Sequence, residues 1–336
     1  MRVIKWLFLL LLAAAIACTG GLYWYVLKRP IPIQGGQDSV IIKVEKGSNA
    51  RSIANSLAAE GLEVNPTAVF QAFKYFGYDR SIHVGRYLIH KNMTLKDVVE
   101  HIASGDVMMS SFLMVEGTES SKFLKNILAS EDLEHSDENL TAEALMNAVG
   151  APEGTHPEGQ FAPATYTVPT GSEDMTVFRQ AYKEQAARVK RAWDKRSALC
   201  AAKSPYELLI LASIIEKETG RPEDRPLVSS VFNNRLKRGM LLQTDPTVVY
   251  GIENFDGKIT KKHLKTDHPY NTYTRSGLPP TPICNPGEAA LTAAAQPAET
   301  DYLYFSAMGR SGQTKFSKSL KEHNAAVQKY LRSQGL

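Results

Sequence analysis

Hydrophobic and polar positions divide the chain into one continuous apolar run, a short region of mixed alternation and a long helix-rich remainder. From Trp6 to Leu27 there are 22 residues without a charge, enough for roughly 33 Å of helix, the thickness of a bilayer core. The length favours an uncut membrane anchor. A cleavable signal, kept open by Ala13 to Ala17, and lipidation at Cys18 are the competing readings. Arg2 and Lys5 before the run nearly balance Lys28 and Arg29 after it, so orientation is weakly coded, with Tyr23, Trp24 and Tyr25 expected at the outer interface. Pro30 to Gln37 reads as a linker. Beyond it, Val40 to Val44 alternates as a strand, Ser48 opens a helix carrying Ile53 and Leu57, and Asn65 with Pro66 opens another carrying Val69, Phe70, Phe73 and Phe76. Gly85 to Ile89 is a second strand, and Thr94 with Asp97 starts a helix that runs through Val98, Val99 and Ile102 to Gly105. The aromatic stripe Phe70, Phe73, Phe76 has helical spacing and is expected in a core.

From Ser111 the pattern predicts a strand at Phe112 to Val115, a helix after Glu116-Gly117-Thr118, a solvated acidic loop from Glu131 to Asn139, and an exposed, charge-alternating helix from Asp174 to about Arg196. The sharpest helix signal follows. Ser204, Pro205 and Glu207 form a capping box with proline at the first helical position, Gly220 is the expected stop, and Leu208 to Ile215 is so apolar that most of the helix must be buried. Glu216 and Glu218 end that helix about 200° apart on its surface, so only one can enter a given cleft. Glu218 continues the row of Leu211, Ile214 and Ile215, whereas Glu216 follows the smaller Ala212 and Ser213. Burial beside bulky apolar groups raises a carboxyl pKa and keeps a proton on it near neutrality, as a general acid requires. The bland alternative is a frayed last turn with both acids in water.

A second helix opens at Asp224, Arg225 and Pro226, faces Val228, Val231, Phe232 and Leu236 inward, and ends in Lys237, Arg238 and Gly239. Then come LLQTDPTVVYG, from Leu241, and YNTYTRSGLPP, from Tyr270, with NPG at Asn285 to Gly287. Amide, hydroxyl and aromatic side chains on proline-stiffened loops suit a sugar, whose hydroxyls need directional partners and whose ring faces need flat apolar surface. Gln243, Asn271 and Tyr273 are the candidate sugar contacts. Asp245 reads as the cap of a short helix through Val249, with the positioning of a water as its competing role.

A soluble portion of roughly 300 residues suggests two domains. A net charge of +4 with dispersed lysines and arginines gives no sign of nucleic-acid binding. No HExxH occurs, and His263 and His268 read as parts of a surface loop, so neither metal nor cofactor is expected. Cys200 and Cys284 could pair in an oxidising compartment, with two free thiols as the preferred reading.

Taken in order, ASIIEKETG, VFNNRL, LQTDPTVVYG, YNTYTRSGLPPTPICNPG and YLYFSAMGRSGQTKFSKSLKEHN resemble the membrane-anchored lytic transglycosylases of the YceG-like family, the endolytic murein transglycosylases. The resemblance implies an α+β fold in four parts: an N-terminal cytoplasmic stub and transmembrane anchor over 1–29, a linker over 30–37, a LysM-like subdomain over 38–110, and a larger mixed α+β catalytic domain over 111–336. It implies a carbon-oxygen lyase that cuts between N-acetylmuramic acid and N-acetylglucosamine within nascent peptidoglycan strands, leaves 1,6-anhydro ends, and terminates or trims strand elongation beside peptidoglycan synthases (penicillin-binding proteins). It places a single-pass protein in the inner membrane with its catalytic domain in the periplasm. The second glutamate of the E-K-E-T string, Glu218 here, is the family's catalytic residue. PEGQFAPATYTVPTG, from Pro157, resembles a cleft segment of the family and makes Glu158 and Tyr166 candidate cleft residues. Ala164 stands where many relatives have aspartate, which speaks against a carboxylate at that point. A peptidoglycan hydrolase using water and a non-catalytic wall-binding scaffold are the alternatives.

Overall fold

The computed structural model describes residues 2–135, 140–308 and 313–333. The chain forms two units, one of Met1–Ser110 with Thr167–Ser172, the other of Ser111–Tyr166 with Glu173–Leu336. The first holds helix α1 (Arg2–Leu27), strand β1 (Ser39–Val44), helices α2 (Ala50–Ala59) and α3 (Pro66–Tyr75), strand β2 (Gly85–His90) and helix α4 (Leu95–Ser104). Side-chain caps fix where these helices start. Asn49 accepts from the backbone of Arg51 and Ser52, Asn65 from that of Thr67 and Ala68, and Thr94 and Asp97 close a reciprocal capping box. The α2 cap is thus Asn49, one residue after the Ser48 expected from sequence. Gly105 ends α4 with φ 73°, a left-handed conformation that glycine adopts without steric cost.

β1 and β2 pair antiparallel with Ile42 opposite Tyr87, and Val44, Ile53, Leu57, Val69, Phe73, Ile89 and Val98 close the core beneath them. Of the aromatic stripe only Phe73 is fully buried; Phe70 and Phe76 pack at the margin, with the Arg51 and Lys74 cations over the Phe70 ring. The segment from Pro30 is not a free linker. Ile31 and Ile33 are buried, Ile31 N–H donates to Met93 O at 2.9 Å, and Ile33 bridges Leu62. The end of α1 is docked as well: Tyr25 and Val26 pack on this core, and Tyr25 Oη accepts from Asn65 N–H at 3.1 Å. Tyr25 is therefore a packing residue of this unit. Further up, Ile4, Trp6 to Leu12, Ile16 and Leu22 are exposed, an all-round apolar surface of membrane-spanning length.

The chain continues with β3 (Met109–Leu113), α5 (Ser120–Leu128), β4 (Leu133–Glu134), α6 (Ala142–Ala148), β5 (Thr165–Pro169), β6 (Ser172–Glu173) and α7 (Asp174–Asp194). Then follow α8 (Pro205–Glu218), α9 (Arg225–Lys237), α10 (Asp245–Tyr250), α11 (Lys261–Lys265), α12 (Glu288–Ala295), a hairpin of β7 (Tyr304–Met308) and β8 (Gln313–Ser317), and α13 (Leu320–Ser333). Strand β3 starts before the expected Phe112, and β4 interrupts the acidic segment read as a loop; residues 136–139 of that segment, and 309–312 of the C-terminal family string, lie outside the described residues. α7 is not an exposed brace. Met175, Val177, Phe178, Ala181 and Ala192 are buried, and Gln185 Nε2 donates to Gly159 O and Pro286 O, so one face of a largely charged helix enters the core.

α8 is the centre of the second unit, with every residue from Leu208 to Ile215 buried among Val228 and Phe232 of α9 and Ala290, Leu291 and Ala294 of the small-residue helix α12. Ser204 Oγ accepts from Glu207 N–H at 3.1 Å, but Glu207 reaches past the cap to accept from Lys203 N–H, so the box is only half formed as expected. The C-terminal stop is extended Thr219 (φ −149°, ψ 128°), not Gly220, which lacks the left-handed backbone of a glycine cap. Cys200 is half-buried and Cys284 buried, and both are free thiols.

Candidate active site

At the end of α8 the two glutamates have different partners. Glu216, with its side chain 6% exposed, accepts from Gly287 N–H at the start of α12 at 3.0 Å and lies 3.6 Å from the Arg225 guanidinium. Its carboxyl group ties α8 to α12 and α9. Burial raises its pKa, and the Gly287 bond opposes that. Glu218 leaves the other side of the helix into a cleft of about 210 Å³ lined by Phe232, Arg235, Leu242, Gln243, Asp245, Tyr273 and Phe305. Neither acid hangs in bulk water.

Burial pushes the Glu218 pKa up to about 7, with a bond from Thr244 pulling it down and the Asp245 charge adding to the rise. The Thr244 hydroxyl donates to Glu218 Oε1. Oε2 accepts no hydrogen bond from the described residues, and the side chain lines the cleft. Apolar surface comes from Phe305, backed by the buried Phe232 ring in edge contact at 5.8 Å between ring centres.

The loops opposite are held by a relay of hydrogen bonds. Asn271 is 0% exposed; its Nδ2 donates to the carbonyls of His263, Leu264 and Thr266, and its Oδ1 accepts from Tyr273 N–H. It is not a sugar contact, because all its polar atoms are engaged inside the loop; its work is to shape the turn. That turn places Thr272, whose Oγ1 accepts from Thr244 N–H at 3.1 Å and whose carbonyl accepts from Gln243 N–H. It also aims Tyr273 Oη at Asp245 Oδ1, 2.6 Å away. Burial and this bond raise the Tyr273 pKa and keep it a phenol. Asp245 is the first residue of α10 and caps nothing; Thr244 precedes it, so the aspartate faces the cleft and favours the helix N-terminus only by its charge. Gln243 has φ 50°, a left-handed backbone that non-glycine residues rarely adopt, held by the Thr272 carbonyl and by a contact of its Oε1 with Arg235 Nη1 at 3.4 Å. Replacing Asn271 with alanine leaves three loop carbonyls unmatched, and urea denaturation is expected to show a loss of about 3 kcal/mol.

Glu158 and Tyr166 lie away from this cleft. Glu158 is 3% exposed; its Oε1 accepts from Ser120 N–H at 3.0 Å and from Ser120 Oγ, and its Oε2 accepts from Tyr250 Oη at 3.1 Å. Tyr166 is buried beside Phe123 and donates to Ala162 O. The turn after Glu158 requires glycine: Gly159 has φ 81°, and a Cβ there would lie 2.6 Å from Pro282 Cβ. Asn285 of the NPG string is likewise interior, accepting from Phe161 N–H and donating to Thr118 O. His263 closes a capping box with Thr260 at the start of α11. Among the described residues no group of three or more histidine, cysteine, aspartate or glutamate side chains is arranged to hold a metal ion. The residue that sequence reading passed over is Arg235, in VFNNRL: its helical position gave no sign that a charged side chain turns inward.

The profile of the YceG-like family matches residues 42–329. The chain belongs to the YceG-like family. A relative named endolytic murein transglycosylase, from Bacillus subtilis (strain 168), is 32% identical over 94% of this chain and 91% of its own length. A protein of the same name from Streptococcus pneumoniae serotype 2 is 25% identical over 95% of this chain, which spans 64% of that longer relative. The 2.6 Å crystal structure of a yceG-like protein from Listeria monocytogenes aligns with a TM-score of 0.52 and 29% identity, over 86% of this chain and 99% of that one. Of the two glutamates in the string E-K-E-T, Glu216 to Thr219, it is Glu218 that lines the cleft.

Proposed function

We propose that the protein is an endolytic lytic transglycosylase of peptidoglycan, with Glu218 as its single acid and base. The observation that carries this reading is the Glu218 carboxyl group, bonded to Thr244 and lining a cleft with Tyr273 and Phe305, where burial pushes its pKa up to about 7. Protonated Glu218 gives its proton to the glycosidic oxygen as the bond to the muramic acid C1 breaks and positive charge develops on that ring. The carboxylate so formed takes the proton of the same sugar's C6 hydroxyl, whose oxygen bonds to C1. The ring closes as a 1,6-anhydro end, the departing strand keeps a free hydroxyl, and no water is consumed. In this reading Gln243 and Tyr273 bind sugar hydroxyls and Phe305 takes a ring face. Asp245, held by Tyr273, sits where it could activate a water instead, which is the hydrolase reading.

Mass analysis of the new strand ends separates the two: anhydro ends are lighter than hydrolysed ends by one water, and hydrolysed ends alone would refute the proposal. Thr244→Val adds a smaller test. Removing the hydroxyl that stabilises the Glu218 carboxylate raises its pKa further, so the alkaline limb of the pH–rate profile is expected to move to higher pH. The exposed apolar length of α1 supports a single-pass anchor, and the β-α-α-β order of the first unit supports a LysM-like glycan holder; both belong to the proposal, with the second unit in the periplasm beside peptidoglycan synthases.

A further inference from the structure

Arg235 on α9 is 7% exposed, yet no carboxylate among the described residues forms an ion pair with it. Its Nε donates to Leu303 O at 2.6 Å, and its Nη1 to Leu241 O and Leu242 O, both at 3.0 Å, with Gln243 Oε1 at 3.4 Å. The Tyr304 ring lies 5.0 Å from the guanidinium carbon. Carbonyl dipoles and a ring face hold the fork in place but leave its charge unneutralised. Nη2, with two N–H groups, has no acceptor among the described residues, and the side chain lines the cleft that contains Glu218. The two acids of that cleft do not answer it: Asp245 is bonded to Tyr273 and Glu218 to Thr244. Nor does Arg235 serve to tune the acid, since burial, Thr244 and Asp245 set the Glu218 pKa.

We propose that Arg235 is a substrate-recognition residue whose Nη2 edge binds a carboxylate on the 3-substituent of the muramic acid ring. The inference rests on the transglycosylase reading and adds a charge requirement to it. The carboxylate has two chemical sources: the lactyl group itself on strands stripped of peptide, or the stem peptide on intact strands.

The test compares four soluble strand preparations with the full-length protein in detergent: peptide-bearing strands, peptide-stripped strands, and each of these two with its carboxylates converted to carboxamides. For the wild type, neutralisation is expected to raise KM about ten-fold with kcat within about two-fold. The preparation that shows the effect identifies the source. Arg235→Lys keeps a charge but loses the planar fork, so it should raise KM to a similar extent on carboxylate strands and have little effect on carboxamide strands. A merely structural arginine would give the same penalty on both. Calorimetric binding of the same preparations to Glu218→Gln reads the preference without cleavage, so a failure to cut and a failure of the preference are separate results. Equal KM values for neutral and charged strands, or equal binding to both, would overturn the proposal.

Discussion

Glu218→Gln is expected to lower strand cleavage by at least about 10³-fold while leaving fold and glycan binding intact. The amide keeps an oxygen for the Thr244 hydroxyl, and its NH₂ can donate a hydrogen bond but not transfer a proton. The acid step is lost, and the carboxylate that would serve as base never forms. The wild type carries the companion expectation. Because the reactive form is the protonated acid, its rate holds on the acid side of about pH 7 and falls about ten-fold per pH unit above it. Counting new reducing or anhydro ends on purified strands measures both effects, and thermal unfolding of the variant checks its fold. Residual cleavage within ten-fold of wild type would remove Glu218 from the mechanism.

Glu158 carries the second large effect, on stability. Burial raises its pKa from 4.5 to about 7, against the opposing bonds from Ser120 and Tyr250. Between those two values the folded state holds a proton that the unfolded chain has released, so stability falls as pH rises. The contribution is complete below about pH 4.5 and lost as pH passes through about 7. The gap corresponds to roughly 3 kcal/mol. Glu158→Gln retains an acceptor for Ser120 and supplies an N–H toward Tyr250 Oη, with no charge to appear at high pH. Urea denaturation at a series of pH values is expected to find the variant within about 1 kcal/mol of wild type at pH 4.5 and more stable by roughly 2–3 kcal/mol at pH 8.5. Glu218 contributes in the same direction to both proteins and cancels in the difference. Two stability curves that run parallel would contradict the assignment.

Both tests turn on neighbours of differing legibility. Thr94 and Asp97, Asn65 with Pro66, and Ser204 with Pro205 mark helix starts within one turn of sequence, and the structure uses each of them. Errors arose where a local pattern carried a non-local duty. Asn271 lies in a polar loop string that suits a sugar, but it is fully buried and bonded to three carbonyls. Asp245 precedes a proline as a cap would, yet its partner is a tyrosine 28 residues later. α7 reads as charged on its surface because charged side chains dominate its composition, while the few apolar side chains on one face carry its packing.

By itself the sequence determined the apolar membrane-length run, the strand and helix order of the first unit, and a buried helix closed by two glutamates about 200° apart, because each follows from periodicity and caps that act over a few residues. Only the tertiary structure decided what those glutamates do. Glu216 met Gly287 and Arg225, Glu218 met Thr244 and the cleft, and Arg235 was turned inward onto Leu303. These contacts join residues far apart in the chain, and a carboxyl pKa or an unneutralised guanidinium depends on the water they exclude, which no spacing along the sequence records.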